Sequence, residues 1–142
     1  VIPAIMHRLH IAKVNRINSV EIWGSGKPLR EFLYVDDLAS GCLFVLELSK
    51  KDYQENTQPT LSHINIGSGA EVTICELVNI IKNIVGYEGE IVYNREMPDG
   101  TPRKLLNNSK LANLGWNAET TLESGLSKTY DWFCNNQENA RL

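Results

Sequence analysis

Between Trp23 and Asp37 the chain reads Trp23-Gly24-Ser25-Gly26-Lys27-Pro28-Leu29-Arg30-Glu31-Phe32-Leu33-Tyr34-Val35-Asp36-Asp37, with an aromatic plane and two cations flanking a glycine turn. An indole face can cover a sugar or a nucleobase, and the planar guanidinium of Arg30 can hold two phosphate oxygens at once. Together these groups suit a nucleoside diphosphate. Spacing alone leaves plainer roles open, with Trp23 as a half-buried strand residue and Arg30 as a surface partner of Glu31 or an aspartate. A second group follows Pro98: Asp99 can accept from ribose or sugar hydroxyls, and Lys104, beside Arg103, adds charge opposite a phosphate. Turn chemistry explains Asp99 equally well. On the first predicted helix, Arg8 sits beside the apolar stripe, where it can reach across the same cleft or be simply solvated.

The patterns that would mark catalysis are missing from the sequence. Gly24-Ser25-Gly26 runs into Lys27-Pro28-Leu29 and Gly67-Ser68-Gly69 into Ala70-Glu71-Val72, so neither completes the G-x-G-x-x-G on which a dinucleotide pyrophosphate rests. There is no Walker P-loop, no tyrosine followed four positions later by lysine and no G-x-S-x-G elbow. His7, His10 and His63 are scattered without HExxH spacing, so no metal site is expected. Trp116 and the Tyr130/Trp132/Phe133 cluster read as core, and Cys42, Cys75 and Cys134 as reduced core thiols. What remains is a binding lobe.

At 142 residues, with 42% apolar and 22% charged residues, the chain has the size and composition of one globular domain. A net charge of −3 gives no general attraction to nucleic acid or anionic lipid, so an anionic ligand needs a local cation cluster. No apolar run approaches the roughly 18 residues of a membrane span. The chain opens at Val1, directly in a helical pattern, and reads as cut from something longer.

The elements that must position these residues alternate in type. Ile2, Ile5, Met6 and Leu9 predict a helix over 2–14 with Pro3 in its first turn. Strands are predicted at 20–23 and 29–35, then a helix capped by Asp36 or Asp37 whose stripe of Leu38, Cys42, Leu43, Val45, Leu46 and Leu48 packs inward. The polar stretch 49–62 reads as a loop and 63–66 as a strand. Thr73 with Glu76 has capping-box spacing before a helix ended by Gly86. A strand at 90–93, an exposed loop over 97–102, a short helix at 109–114 and a last helix behind a second capping box, Thr120 with Glu123, complete the order. With no long linker, this is an α/β chain forming one small mixed lobe over residues 1–142, not a complete doubly wound sheet.

The string from Trp23 to Asp37 resembles the W-G-x-G-x-x-x-R-E-F-x-x-V-D-D segment of extended short-chain dehydrogenase/reductases that act on nucleotide sugars. Three further stretches are similar to the branch of that family acting on a GDP-sugar: Val1-Ile2-Pro3-Ala4, the segment from Glu55 to Pro59 leading into 62–67, and the run from Pro98 to Leu106. The resemblance extends over nearly the whole chain. It implies the C-terminal substrate lobe of an enzyme that turns GDP-4-keto-6-deoxy-D-mannose into GDP-L-fucose by epimerising two sugar carbons and reducing a ketone with NADPH. It carries GDP-sugar contacts onto Arg8, Trp23, Arg30, Asp99 and Lys104. It also implies that the Rossmann domain, the NADPH site, the Ser-Tyr-Lys reduction residues and a Cys/His acid-base pair lie upstream of Val1, leaving this chain without catalytic residues. A cytoplasmic homodimer is expected on the same ground. Asn107 departs from the family's usual Asp after Arg-Lys-Leu-Leu. The substrate lobe of another nucleotide-sugar epimerase or dehydratase, and a non-catalytic nucleotide-sugar-binding module, are the competing expectations.

Overall fold

The computed structural model describes residues 1–137. Its elements are α1 (Ile2–Val14), β1 (Ser19–Trp23), β2 (Leu29–Glu31), α2 (Val35–Glu47), α3 (Lys50–Asn56), β3 (Glu71–Thr73), α4 (Ile74–Val85), β4 (Glu90–Asn94), β5 (Arg103–Lys104), α5 (Ser109–Asn113) and α6 (Leu122–Asn135). The chain is mixed α/β and forms two compact units, one from residues 1–30, 72–103 and the C-terminal helix from Glu123 onward, the other from 31–71 and 104–122. β1 pairs with β4, and β2 lies between β3 and β5 in a second small sheet. The chain passes from one unit to the other within β2, β3 and β5 and at the first residue of α6.

The first unit is built on α1, α4, nearly all of α6 and a parallel strand pair. Ser19 lies opposite Glu90 and Trp23 opposite Asn94, which puts Val20 and Ile22 on the buried face and leaves Trp23 at the exposed end. Helical spacing puts Ile5, Met6, Leu9 and Ala12 of α1 inward, together with Leu77, Val78, Ile81 and Val85 of α4. The expected capping box is present: Thr73 Oγ1 accepts from the Glu76 amide at 3.1 Å, and Glu76 accepts from the Thr73 amide at 2.8 Å. Gly86 ends α4 with φ +69°, the left-handed turn that a helix C-terminus favours.

The hydrogen bonds from the backbone and side chain of Thr73 hold the Glu76 carboxyl below its usual 4.5. A carboxylate so lowered contributes its full stability above the unfolded value and loses it as pH falls through the folded one. The gap in denaturation midpoint between the parent and Glu76→Gln is therefore expected to be widest above pH 4.5 and to close in more acid solution. A gap that is independent of pH would contradict this.

α6 docks on α1 through rings. Phe133 is buried, with the His10 ring at 5.1 Å and the His7 ring at 6.2 Å, both edge-on. Burial, with help from Cys134, pushes the Tyr130 phenol up to about 12, while burial, then His7 and Lys13, lower His10. The Tyr130 hydroxyl and His10 Nδ1 share a hydrogen bond at 3.0 Å, and the Gln137 amide nitrogen lies 3.2 Å from His10 Nε2. Two of the scattered histidines are packing residues. Trp132 is exposed, unlike its expected core neighbours Tyr130, which is half-buried, and Phe133.

In the second unit the sequence pattern misleads on α2. Asp37 and Gly41 are its buried residues, while Leu38, Leu43 and Leu46 are exposed. The reason is size: a methyl on Gly41 would meet Ile66 at 2.8 Å and the Trp116 ring at 3.1 Å, so the small face of the helix is the one that fits. Tyr34 is the N-cap and its side chain does not cap the helix; Asp36 and Asp37 lie inside the first turn. Asp37 accepts instead from the Thr120 amide at 2.9 Å and hydroxyl at 3.2 Å. Trp116 Nε1 donates to Ser40 Oγ at 3.1 Å on the same side.

The polar stretch read as a loop contains α3, capped by Ser49 Oγ accepting from the Asp52 amide at 3.0 Å. Residues 63–66 form no strand, and β2 stops at Glu31. All three cysteines are free as expected, but Cys42 and Cys134 are exposed and Cys75 is half-buried, so they are not core thiols.

Candidate functional site

α1, the end of β1 and the loop after β4 enclose a hollow of about 370 Å³ within the first unit. Arg8, Trp23, Arg30 and Asp99 line it, over an apolar wall that includes Ala4, Ile5, Ile22 and Pro28. Each charged or aromatic member is put there by local structure. Arg8 follows the buried Met6 and precedes the buried Leu9, so it projects from the rim of the α1 stripe, and its Nη1 donates to the Glu21 carbonyl at 2.6 Å. That bond sets the guanidinium against β1. Trp23 ends β1 on its exposed face, with 62% of its surface accessible, an exposure that suits a ligand-facing ring better than a core one.

Gly24 and Gly26, at φ +86° and +76°, then turn the chain sharply toward β2. A methyl on Gly26 would reach Tyr93 Cε1 at 2.7 Å, so this glycine lets the turn sit directly on the Tyr93 ring. Arg30 is half-buried and its Nη1 donates to its own Leu29 carbonyl at 2.7 Å. Its Nη2 lies 3.2 Å from where a side chain on Gly100 would begin. A guanidinium has five donors, so one internal bond on each arginine leaves the fork able to take phosphate oxygens.

Asp99 is drawn down by Ser25, whose hydroxyl and then amide hydrogen bonds hold its carboxyl below the usual range, with Lys27 adding to the effect. At neutral pH it is a carboxylate. Lys104 belongs to the second unit and is exposed. The hollow is therefore lined by four of the five residues expected at a ligand site, and its lining comes from the first unit alone. In the second unit, Glu31 of the same sequence string is a structural knot: it accepts from the Gly69 amide at 2.7 Å and the Leu106 amide at 2.9 Å.

Sequence reasoning missed Ser25, the partner of Asp99, and the apolar wall. The signal for Ser25 was its place between two glycines, which reads as mere turn filler. Neither glycine pair opens a helix: one leads to β2 and the other to β3, so neither supplies the helix N-terminus that cradles a dinucleotide. Among the described residues no His, Cys, Asp and Glu group could hold a metal, and no helix is long and apolar enough to cross a membrane.

Residues 1–67 match the NAD dependent epimerase/dehydratase family. The chain is 50% identical over 141 residues to GDP-L-fucose synthase of Escherichia coli K12, covering 99% of this chain and 44% of that protein. GDP-L-fucose synthase 1 of Arabidopsis thaliana is 52% identical over 136 residues, with 96% of this chain and 39% of that protein covered. Among solved structures, a GDP-L-fucose synthetase from Naegleria fowleri bound to NADP superposes with a TM-score of 0.85 at 28% identity, covering 100% of this chain and 42% of that one. The chain thus spans less than half the length of these relatives.

Proposed function

We propose that this chain, matched by the epimerase/dehydratase family and similar along its length to GDP-L-fucose synthases, is the GDP-sugar-binding segment of an NADPH-dependent epimerase/reductase. The reaction assigned is conversion of GDP-4-keto-6-deoxy-D-mannose to GDP-L-fucose. The observation that carries the reading is the convergence of Arg8, Trp23 and Arg30 on one hollow with an apolar wall.

A diphosphate brings paired negative charge that must be matched by close cations when it leaves water, and two guanidinium groups at one mouth do this. The Trp23 indole covers the flat or apolar part of the ligand. Held so, the sugar is presented in a fixed pose, which is the contribution this segment makes to rate. Epimerising a carbon beside a ketone requires one group to take a proton from one face and another to return it to the other, and the resemblance puts that pair upstream. Bound NADPH supplies the hydride that reduces the ketone. The resemblance puts the NADPH site upstream and assigns this segment to the substrate. Lys104 is assigned to the phosphates by resemblance alone, and so are the upstream Rossmann domain, the cytoplasmic location and the homodimer.

In the full-length polypeptide, Trp23→Ala is expected to weaken GDP binding about tenfold, as loss of one aromatic stacking contact does, and Trp23→Phe to retain most of it. Calorimetric titration with GDP measures both. Equal affinities for the parent and Trp23→Ala would remove the indole from the site.

A further inference from the structure

Asp99 stands on the wall of the hollow, yet both of its oxygens are turned to Ser25. Oδ1 accepts from the Ser25 amide at 2.7 Å and Oδ2 from the Ser25 hydroxyl at 2.5 Å. The Ser25 oxygen accepts in turn from the Lys27 amide at 3.2 Å. Asp99 Oδ1 occupies the space that a side chain on Gly24 would need, so the carboxylate is seated in a notch made by that glycine. Two charge-assisted bonds to one residue form a short, directional pair rather than a loose surface contact.

The bonds around this pair show what it holds. Gly24 donates to the Asn94 carbonyl at 2.9 Å, which ties the residue after Trp23 to the end of β4. Leu29 donates to the Pro102 carbonyl at 2.9 Å, which ties the far end of the 95–102 loop to β2. Asp99 lies between these two anchors and fastens the middle of the loop to the middle of the turn. Gly100, the next residue, is the one lying against Arg30 Nη2. Closing the Asp99–Ser25 pair therefore sets the backbone that carries Trp23 and the surface that backs Arg30 at the same time.

We infer that Asp99 serves the proposed GDP-sugar site as a positioning residue acting through Ser25, and that Ser25 is a further member of the binding machinery. The inference rests on the functional reading above and adds to it: Asp99 clasps two loops, and each of its oxygens keeps an acceptor site for the ligand's hydroxyls. A site closed before the ligand arrives avoids the ordering cost of closing on it. Because Ser25 also holds the carboxyl ionised below the usual carboxylate range, the clasp stays shut at any pH at which such an enzyme is assayed.

The test is a double-mutant cycle in the full-length polypeptide, read as GDP affinity, with NADPH affinity as the control for folding. Asp99→Ala is expected to weaken GDP binding about tenfold, and the Asp99→Ala/Ser25→Ala double variant to bind no more weakly than Asp99→Ala alone. Ser25→Thr, which keeps both the amide and the hydroxyl, is expected to bind like the parent. Asp99→Ala costing the same factor with and without the Ser25 hydroxyl would overturn the clasp. So would Ser25→Thr behaving like Ser25→Ala. No saturable GDP binding by the parent would remove the functional reading itself, and the clasp with it, whereas additive losses remove the clasp alone.

Discussion

In the full-length polypeptide, Arg30→Ala is expected to weaken GDP-sugar binding by about 10- to 100-fold and to leave NADPH affinity unchanged, since a charge-assisted hydrogen bond lost from a binding site costs about 1.5–3 kcal/mol. The side chain is half-buried, one nitrogen is already braced on the Leu29 carbonyl and another lies along Gly100, so little freedom remains to be lost on binding. Arg30→Lys keeps the charge but not the planar fork, and an intermediate loss is expected. NADPH is the internal control because its site is proposed to lie upstream of this segment. Titration of each variant with both ligands measures the split. A GDP-sugar affinity equal to that of the parent would exclude Arg30 from the site, and equal losses for both ligands would indicate general damage to the fold.

The largest effect on stability is expected at Asp37. Its side chain is 8% exposed and accepts both the amide and the hydroxyl of Thr120. Asp37→Ala removes two hydrogen bonds to a charged group and leaves a part-buried amide without its acceptor, a loss of about 3 kcal/mol. Its neighbour Asp36 is exposed in the first turn of α2, where only the helix dipole acts on it, so Asp36→Ala is expected to cost under about 1 kcal/mol. Denaturant unfolding of the two variants at neutral pH distinguishes these adjacent acids. Equal midpoints would contradict the assigned role of Asp37.

How far each feature could be read from the sequence follows from how local its cause is. α1, β1, α4 and β4 were legible because each combines a regular apolar period with a local stop: Pro3 at the start of α1, the glycines after Trp23, and the box from Thr73 to Glu76. α2 was legible as a helix but not in its orientation. Its leucines form the stronger apolar stripe, yet the face that packs is chosen by Gly41 against Trp116 and Ile66, contacts made far along the chain. The bond of Thr120 to Asp37 was hidden for the same reason, because the two lie 83 residues apart. α3 was hidden by its polar composition, since it buries no residue and depends on Ser49 for its start.

The site divides in the same way. Arg8, Trp23 and Arg30 were visible as residue types near a glycine turn, and the hollow lined by all three is a product of the fold of one unit. Asp99 was visible, but its attachment to Ser25 was not, because the two are 74 residues apart and each has an ordinary turn role in its own segment. Resemblance supplied the chemistry of the ligand, which neither spacing nor geometry names.

Crystals of the full-length polypeptide soaked with GDP provide the most direct measurement. The diphosphate is expected within hydrogen-bond distance of the Arg8 and Arg30 guanidinium groups, with the Trp23 ring against the ligand and Asp99 still on Ser25. GDP found in another cleft, with Arg8 and Arg30 untouched, would contradict it.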